Sequence, residues 1–147
     1  MSIYKIKLVN AMPKQRIAVR ALKSLAELVL AGENIDRAEI QINLVDDAYM
    51  IHLNRTYLKK ESTTDVLAFD LSEDTPAAGL EGEIYIGVEQ VQRQASDFEA
   101  SFENELQRMV VHGILHLIGF DDGSEVDRKL MTQKEDDYLT RFIRDNR

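Results

Sequence analysis

The sequence predicts a single α+β (mixed α/β) domain spanning residues 1–147, with about four strands in one mixed sheet and about five helices. Three observations point to it. Four short runs have the composition and periodicity of strands, and five longer stretches place apolar residues at helical spacing. A helical stretch also falls between the first two strands, which suits a crossover connection. The longest apolar helical stretch carries two histidines and stops at a glycine, so a metal site is expected at the end of a central helix.

At the N-terminus Tyr4, Ile6 and Leu8 alternate with polar residues as a half-buried strand. Pro13 is then expected to open a helix with the stripe Ala18, Ala21, Leu22, Leu25, Leu28 and Val29, closed by Gly32. Ile40, Ile42 and Leu44 form a second alternating run. Asp46 is a good N-cap for a helix turning Met50, Leu53 and Tyr57 inward. His52 on that helix reads as a packing or surface residue. Asp65–Phe69 and Glu83–Ile86 read as two more strands, separated by a loop over Ser72–Gly79. A helix from about Val88 to Ala95 follows. The next begins near Ser101 and runs through Leu106, Met109, Val110, Gly113, Ile114 and Leu117 to a stop at Gly119. Ser124 to Ile143 form the last helix, with Val126, Leu130, Tyr138 and Phe142 expected to face inward.

Composition narrows the function classes. A hydrophobic fraction of 44% and a charged fraction of 30% are those of a globular domain with one core. The absence of cysteine excludes disulfide scaffolds, thiolate zinc fingers, Fe–S clusters and cysteine nucleophiles, and fits a reducing compartment. With no continuous apolar segment near the N-terminus or elsewhere, a cytoplasmic protein with no membrane contact is expected. The net charge of −8 opposes coating of nucleic acid by bulk electrostatics. Residues 1–60 nevertheless hold 10 Lys/Arg against 6 Asp/Glu, and residues 61–147 hold 8 against 20. Lys5, Lys7, Lys14, Arg16, Arg20 and Lys23, with Arg55, Lys59 and Lys60, form either a solvated face or an anion-binding patch. No phosphate-binding glycine loop of the P-loop or dinucleotide type occurs, so no nucleotide cofactor is expected.

The chemistry concentrates in Val111–Asp122. At about 100° per residue, His112 and His116 stand one turn apart on one helix face, about 40° from each other. Two imidazoles so placed can share one divalent ion. Gly119 lets the chain turn back and bring Asp121 or Asp122 to the same ion. Positions 0, 4 and 10 of the pattern are His112, His116 and Asp122, and Asp122 is favoured because one more residue completes the turn. Asp65 is read chiefly as a turn residue and alternatively as a carboxylate supporting the site. Glu105, seven residues before His112, is read as a solvated helix charge in preference to a supporting group. The spacing resembles that of zincin peptidases, which carry a glutamate base directly after the first histidine; here that residue is Gly113.

Three blocks together resemble the YbeY family of single-strand-specific metallo-endoribonucleases. The first is Leu53-Asn54-Arg55-Thr56-Tyr57 followed by Thr64-Asp65-Val66-Leu67-Ala68-Phe69. The second is Gly82-Glu83-Ile84-Tyr85-Ile86, followed by Gln94-Ala95. The third is His112-Gly113-Ile114-Leu115-His116-Leu117-Ile118-Gly119-Phe120-Asp121, with Met131 and Glu135 in a closing helix. In two places the chain departs from the family pattern. Asp122 stands where the third metal ligand is usually histidine, and Leu58 stands where an arginine thought to face RNA often follows the tyrosine. Lys59, Lys60 or Arg55 can supply that charge.

The resemblance implies a zinc-dependent hydrolase, one Zn2+ per chain on His112, His116 and Asp122, with the open fourth position left for water. Asp65, Lys59 and Lys60 are the candidate supporting residues. It further implies cleavage of single-stranded RNA, maturation of the 3′ end of 16S rRNA, ribosome quality control, and contact with the ribosome or small-subunit proteins. Two alternatives remain at this stage: a zinc metallopeptidase or other metal-dependent hydrolase, and a non-catalytic ribosome-assembly module whose zinc is structural.

Overall fold

The computed structural model describes residues 2–58, 64–73 and 79–146. Lys59, Lys60 and most of the expected loop before Gly79 fall outside the described residues. The order is β1 (Ile3–Asn10), α1 (Val19–Gly32), β2 (Arg37–Val45), α2 (Asp47–Leu53) running into a π-helical turn (Asn54–Leu58), β3 (Val66–Asp70), β4 (Leu80–Gly87), α3 (Val88–Asp97), α4 (Phe102–Ile118) and α5 (Glu125–Asp145). Among the described residues, four strands and five α-helices give the α+β class expected from the sequence.

The sheet order is β1-β2-β4-β3, with β1, β2 and β4 parallel and β3 antiparallel at the edge. Leu8, Ile42, Ile84 and Ala68 form one row across all four strands. Ile42 and Ile84, in the middle of that row, are fully buried beneath α1 and α4. Side chains alternate along a strand, so the neighbouring rows point to the other face. There Lys5 lies in register with Glu39 and Glu81, and Lys7 with Gln41 and Glu83. These two lysines therefore stand among carboxylates on the outer sheet face, which is the solvated-face alternative and not an anion patch.

Several local expectations hold. Asp46 accepts from Tyr49 N at 2.9 Å and Ser101 from Asn104 N at 3.0 Å, as N-caps should. Others are corrected. Pro13 does not open α1; it sits second in a turn in which Gln15 N donates to Met12 O, the position that a fixed proline φ favours. Tyr57 is 62% exposed, because the wider π winding after Leu53 rotates it out of the Met50–Leu53 stripe. In α5 the inward stripe is Met131, Glu135, Tyr138, Leu139 and Phe142, so Val126 and Leu130, one turn apart on a different face, point outward. Among the described residues, no helix is long and apolar enough to cross a membrane.

Candidate metal centre

Helix α4 reaches its position through a close approach to the sheet. A Cβ on Gly113 would lie 2.8 Å from Ile84 Cγ2, and one on Gly82 would lie 2.7 Å from a Leu117 methyl. Both glycines therefore let backbone meet side chain at a separation that any larger residue would increase. With that face of α4 committed to the sheet, His112 and His116 emerge on another, facing α5 and the turn that follows Gly119.

That turn is a Schellman motif. Gly119 is left-handed at φ 118°, its N–H reaches His116 O at 3.1 Å, and Phe120 N–H reaches Leu115 O at 3.0 Å. Phe120 packs back on the core, with Lys134 Nζ 4.7 Å from its ring centroid. The reversed chain brings Asp122 to the histidines. Asp121 turns to the backbone instead, accepting from Asp122 N at 2.7 Å.

The three side chains converge closely. His112 Nε2 and His116 Nε2 are 2.9 Å apart, and Asp122 Oδ2 lies 3.4 Å from the first and 3.6 Å from the second. A tetrahedral zinc with donors at about 2.0–2.1 Å has donor–donor edges of about 3.3–3.4 Å. The observed triangle brackets that edge, so two imidazole nitrogens and one carboxylate oxygen fit such an ion. Asp122 is 42% exposed while His112 is 17%, so the site opens to solvent on the aspartate side.

The surroundings orient His112. Glu135, on the inward stripe of α5 and 5% exposed, places Oε2 2.6 Å from His112 Nδ1. A carboxylate only accepts, so Nδ1 carries a proton, and Nε2 is the ring nitrogen turned toward Asp122 and His116. Burial lowers the proton affinity of His112, but the hydrogen bond to Glu135 and the charges of Glu135, Asp122 and Asp65 outweigh it, and its pKa stands above the usual histidine value. Arg108, one turn before His112, donates to Glu135 Oε1 at 3.1 Å and to Asp136 Oδ1 at 2.8 Å.

Asp65 is a bend residue whose carbonyl accepts from Gly87 N at 2.9 Å, as its reading as a turn residue expects, and its charge is among those that raise the pKa of His112. Glu105 is not a solvated charge: it is 5% exposed, and burial with the nearby Asp65 and Glu135 raises its pKa despite Arg108. His52 is exposed. Arg108 and the contact of Glu135 with His112 were absent from the sequence reading. A charged residue on an otherwise apolar stripe, four after Met131 and three before Tyr138, is the signal that marks Glu135. The first motif block is knit together by contacts between its halves: Asn54 Nδ2 donates to Thr64 Oγ1 at 3.1 Å, and Tyr57 meets Phe69 edge-on at 5.2 Å.

Comparison with known proteins gives the family. A family model described as "Endoribonuclease YbeY" matches residues 7–143. Proteins named Endoribonuclease YbeY from Flavobacterium psychrophilum and Petrotoga mobilis are similar. The first is 40% identical, over 78% of this chain and 79% of its own length. The second is 34% identical, over 97% and 99%. A solution structure of a Thermotoga maritima protein superposes with a TM-score of 0.62 at 29% identity, covering 95% of this chain and 89% of the other. With a family model spanning nearly all of it and relatives matched along their length, the chain belongs to the YbeY endoribonuclease family.

Proposed function

We propose that this protein is a cytoplasmic, zinc-dependent endoribonuclease that cleaves single-stranded RNA, matures the 3′ end of 16S rRNA and serves ribosome quality control together with small-subunit proteins. The observation that supports it most is the 2.9–3.6 Å triangle of His112, His116 and Asp122 in a member of an endoribonuclease family. When bound there, zinc would polarise a phosphate oxygen and acidify water. His112 and His116 would each offer a neutral Nε2, with Glu135 accepting the His112 Nδ1 proton. Asp122 would add the single negative charge of the ligand set, on the side open to solvent. Asp65, whose charge reaches His112, is proposed as a supporting carboxylate, and Arg55, Lys59 and Lys60 are the cations proposed to meet the RNA backbone in place of the arginine that Leu58 replaces.

Two features weigh against the other readings. A structural zinc is normally closed by four protein donors, whereas among the described residues the candidate group holds three. A peptidase of the zincin type needs its base at position 113, where Gly113 has no side chain and a Cβ would strike Ile84. The test is zinc content and RNA cleavage of the wild type beside a His112→Ala/His116→Ala variant. We expect about one zinc per chain and chelator-sensitive cleavage of unstructured RNA, with duplex RNA spared and both properties lost in the variant. Equal zinc in the two proteins, or cleavage indifferent to chelator, overturns the proposal.

A further inference from the structure

Glu135 would orient His112 well only if its own carboxylate were fixed, and one residue is built to fix it. We infer that Arg108 is a positioning residue for the metal centre, acting through Glu135 on the ring of His112; this rests on the zinc site proposed above.

The geometry is a chain of three side chains from two helices. Arg108 and His112 are one turn apart on α4, and Glu135 reaches between them from α5. Its Oε1 takes Arg108 Nη1 at 3.1 Å and its Oε2 takes His112 Nδ1 at 2.6 Å, so each carboxylate oxygen has one partner and the rotamer is held at both. Arg108 is held in turn, because its other terminal nitrogen donates to Asp136 at 2.8 Å. A planar guanidinium with nitrogens fixed in a fork suits such a bridge between two acceptors, whereas an ammonium would have to favour one. Burial supports the direction of the effect: the Glu135 side chain is 7% exposed and Arg108 28%, so water competes little for the inner contact. Freed from Arg108, Glu135 could turn about its side-chain torsions and leave His112 Nδ1 without an acceptor. The ring would then be free to rotate and to place its proton on either nitrogen, and Nε2–H cannot bind a metal.

The experiment measures zinc affinity of the full chain, stripped and reloaded against a competing chromogenic chelator, with the 15N shifts of the His112 ring recorded in the zinc-free protein. The variants are Arg108→Met, Arg108→Lys and Asp136→Asn. Partners of metal-binding histidines are typically worth 10- to 100-fold in affinity, so Arg108→Met should weaken zinc binding by about 10-fold and mix the His112 tautomers. Arg108→Lys should recover part of both. Asp136→Asn alters a residue whose side chain is 57% exposed and does not enter the core, so it tests the fork even if Arg108→Met fails to fold; it should shift the tautomer signals in the same direction with a smaller loss of affinity. Wild-type affinity and an unshifted His112 ring in Arg108→Met would overturn the inference, as would an unshifted ring in Asp136→Asn if Arg108→Met does not fold. If instead the His112→Ala/His116→Ala variant keeps its zinc, the metal site itself is wrong.

Discussion

Replacing Gly113 by alanine sets two effects against each other. In a helix interior alanine is favoured over glycine by about 1 kcal/mol, so α4 taken alone would be stabilised. The new methyl would lie 2.8 Å from Ile84 Cγ2 and 3.1 Å from its Cδ1, inside the contact distance of carbon atoms. Ile84 is fully buried in the middle of the sheet, where close packing lets it retreat only by displacing other core side chains. Overpacking of this kind costs about 1–3 kcal/mol. The difference is a net loss of up to about 2 kcal/mol, which urea unfolding of the full chain followed by far-UV circular dichroism resolves as a lower midpoint at unchanged slope. Ile84→Ala alone should cost about 2–5 kcal/mol through the cavity it leaves. In the double variant the alanine methyl of position 113 would occupy part of that cavity, so the two losses should be less than additive by about 1 kcal/mol. If Gly113→Ala is stabilising by the full helix-propensity gain, or if the two substitutions are strictly additive, then α4 does not approach β4 this closely.

Three other outcomes are expected. Asp122→Ala should lose stoichiometric zinc, measured by elemental analysis, whereas Asp121→Ala should keep it because that carboxylate caps a backbone N–H; the reverse result would reassign the third ligand. Glu105→Gln should gain stability relative to wild type as pH rises. The raised pKa of Glu105 favours the folded state below the ordinary carboxylate pKa and loses that contribution as pH climbs through the folded value, so a difference in melting temperature that shrinks between pH 5 and pH 8 refutes the assignment. Tyr138→Phe should cost about 1.5–3 kcal/mol in urea unfolding, because the hydroxyl donates to the charged Glu33; a neutral outcome would mean that Lys134, which also holds Glu33 at 3.0 Å, suffices without it.

Much of the candidate site was legible because it is local. His112, His116, Gly119 and Asp122 lie within eleven consecutive residues, and helix periodicity with one left-handed glycine brings them together. What escaped is what depends on neighbours distant in sequence. Glu105 has the residue type of a solvated helix charge, yet it is 5% exposed, and the charges of Asp65 and Glu135, distant in sequence, act on it. Val126 and Leu130 have the right residue types for a core, but the register of α5 is set farther along by Met131 and Tyr138. Pro13 has the composition of a helix start and serves instead in a turn, a role that proline fills equally well. Tyr57 was misplaced by one irregular turn, since apolar spacing carries no mark of a change from α to π winding.

The same division bears on what makes the site work. A helix carrying two histidines one turn apart would present both rings in many rotamers, and nothing in residues 112–122 selects the one with both Nε2 atoms inward. For His112 the selection comes from α5. Glu135 can be buried at that position only because Arg108 and His112 satisfy both its oxygens, and α5 is held there by Met131, Tyr138 and Leu139 in the core. Arg108 and His112 lie on α4, whose distance from the sheet is set by Gly113 against Ile84. The glycine that stands where a zincin peptidase would carry its base therefore bears on the candidate metal centre as well. By letting α4 sit close on β4, it fixes the height at which His112 meets Glu135.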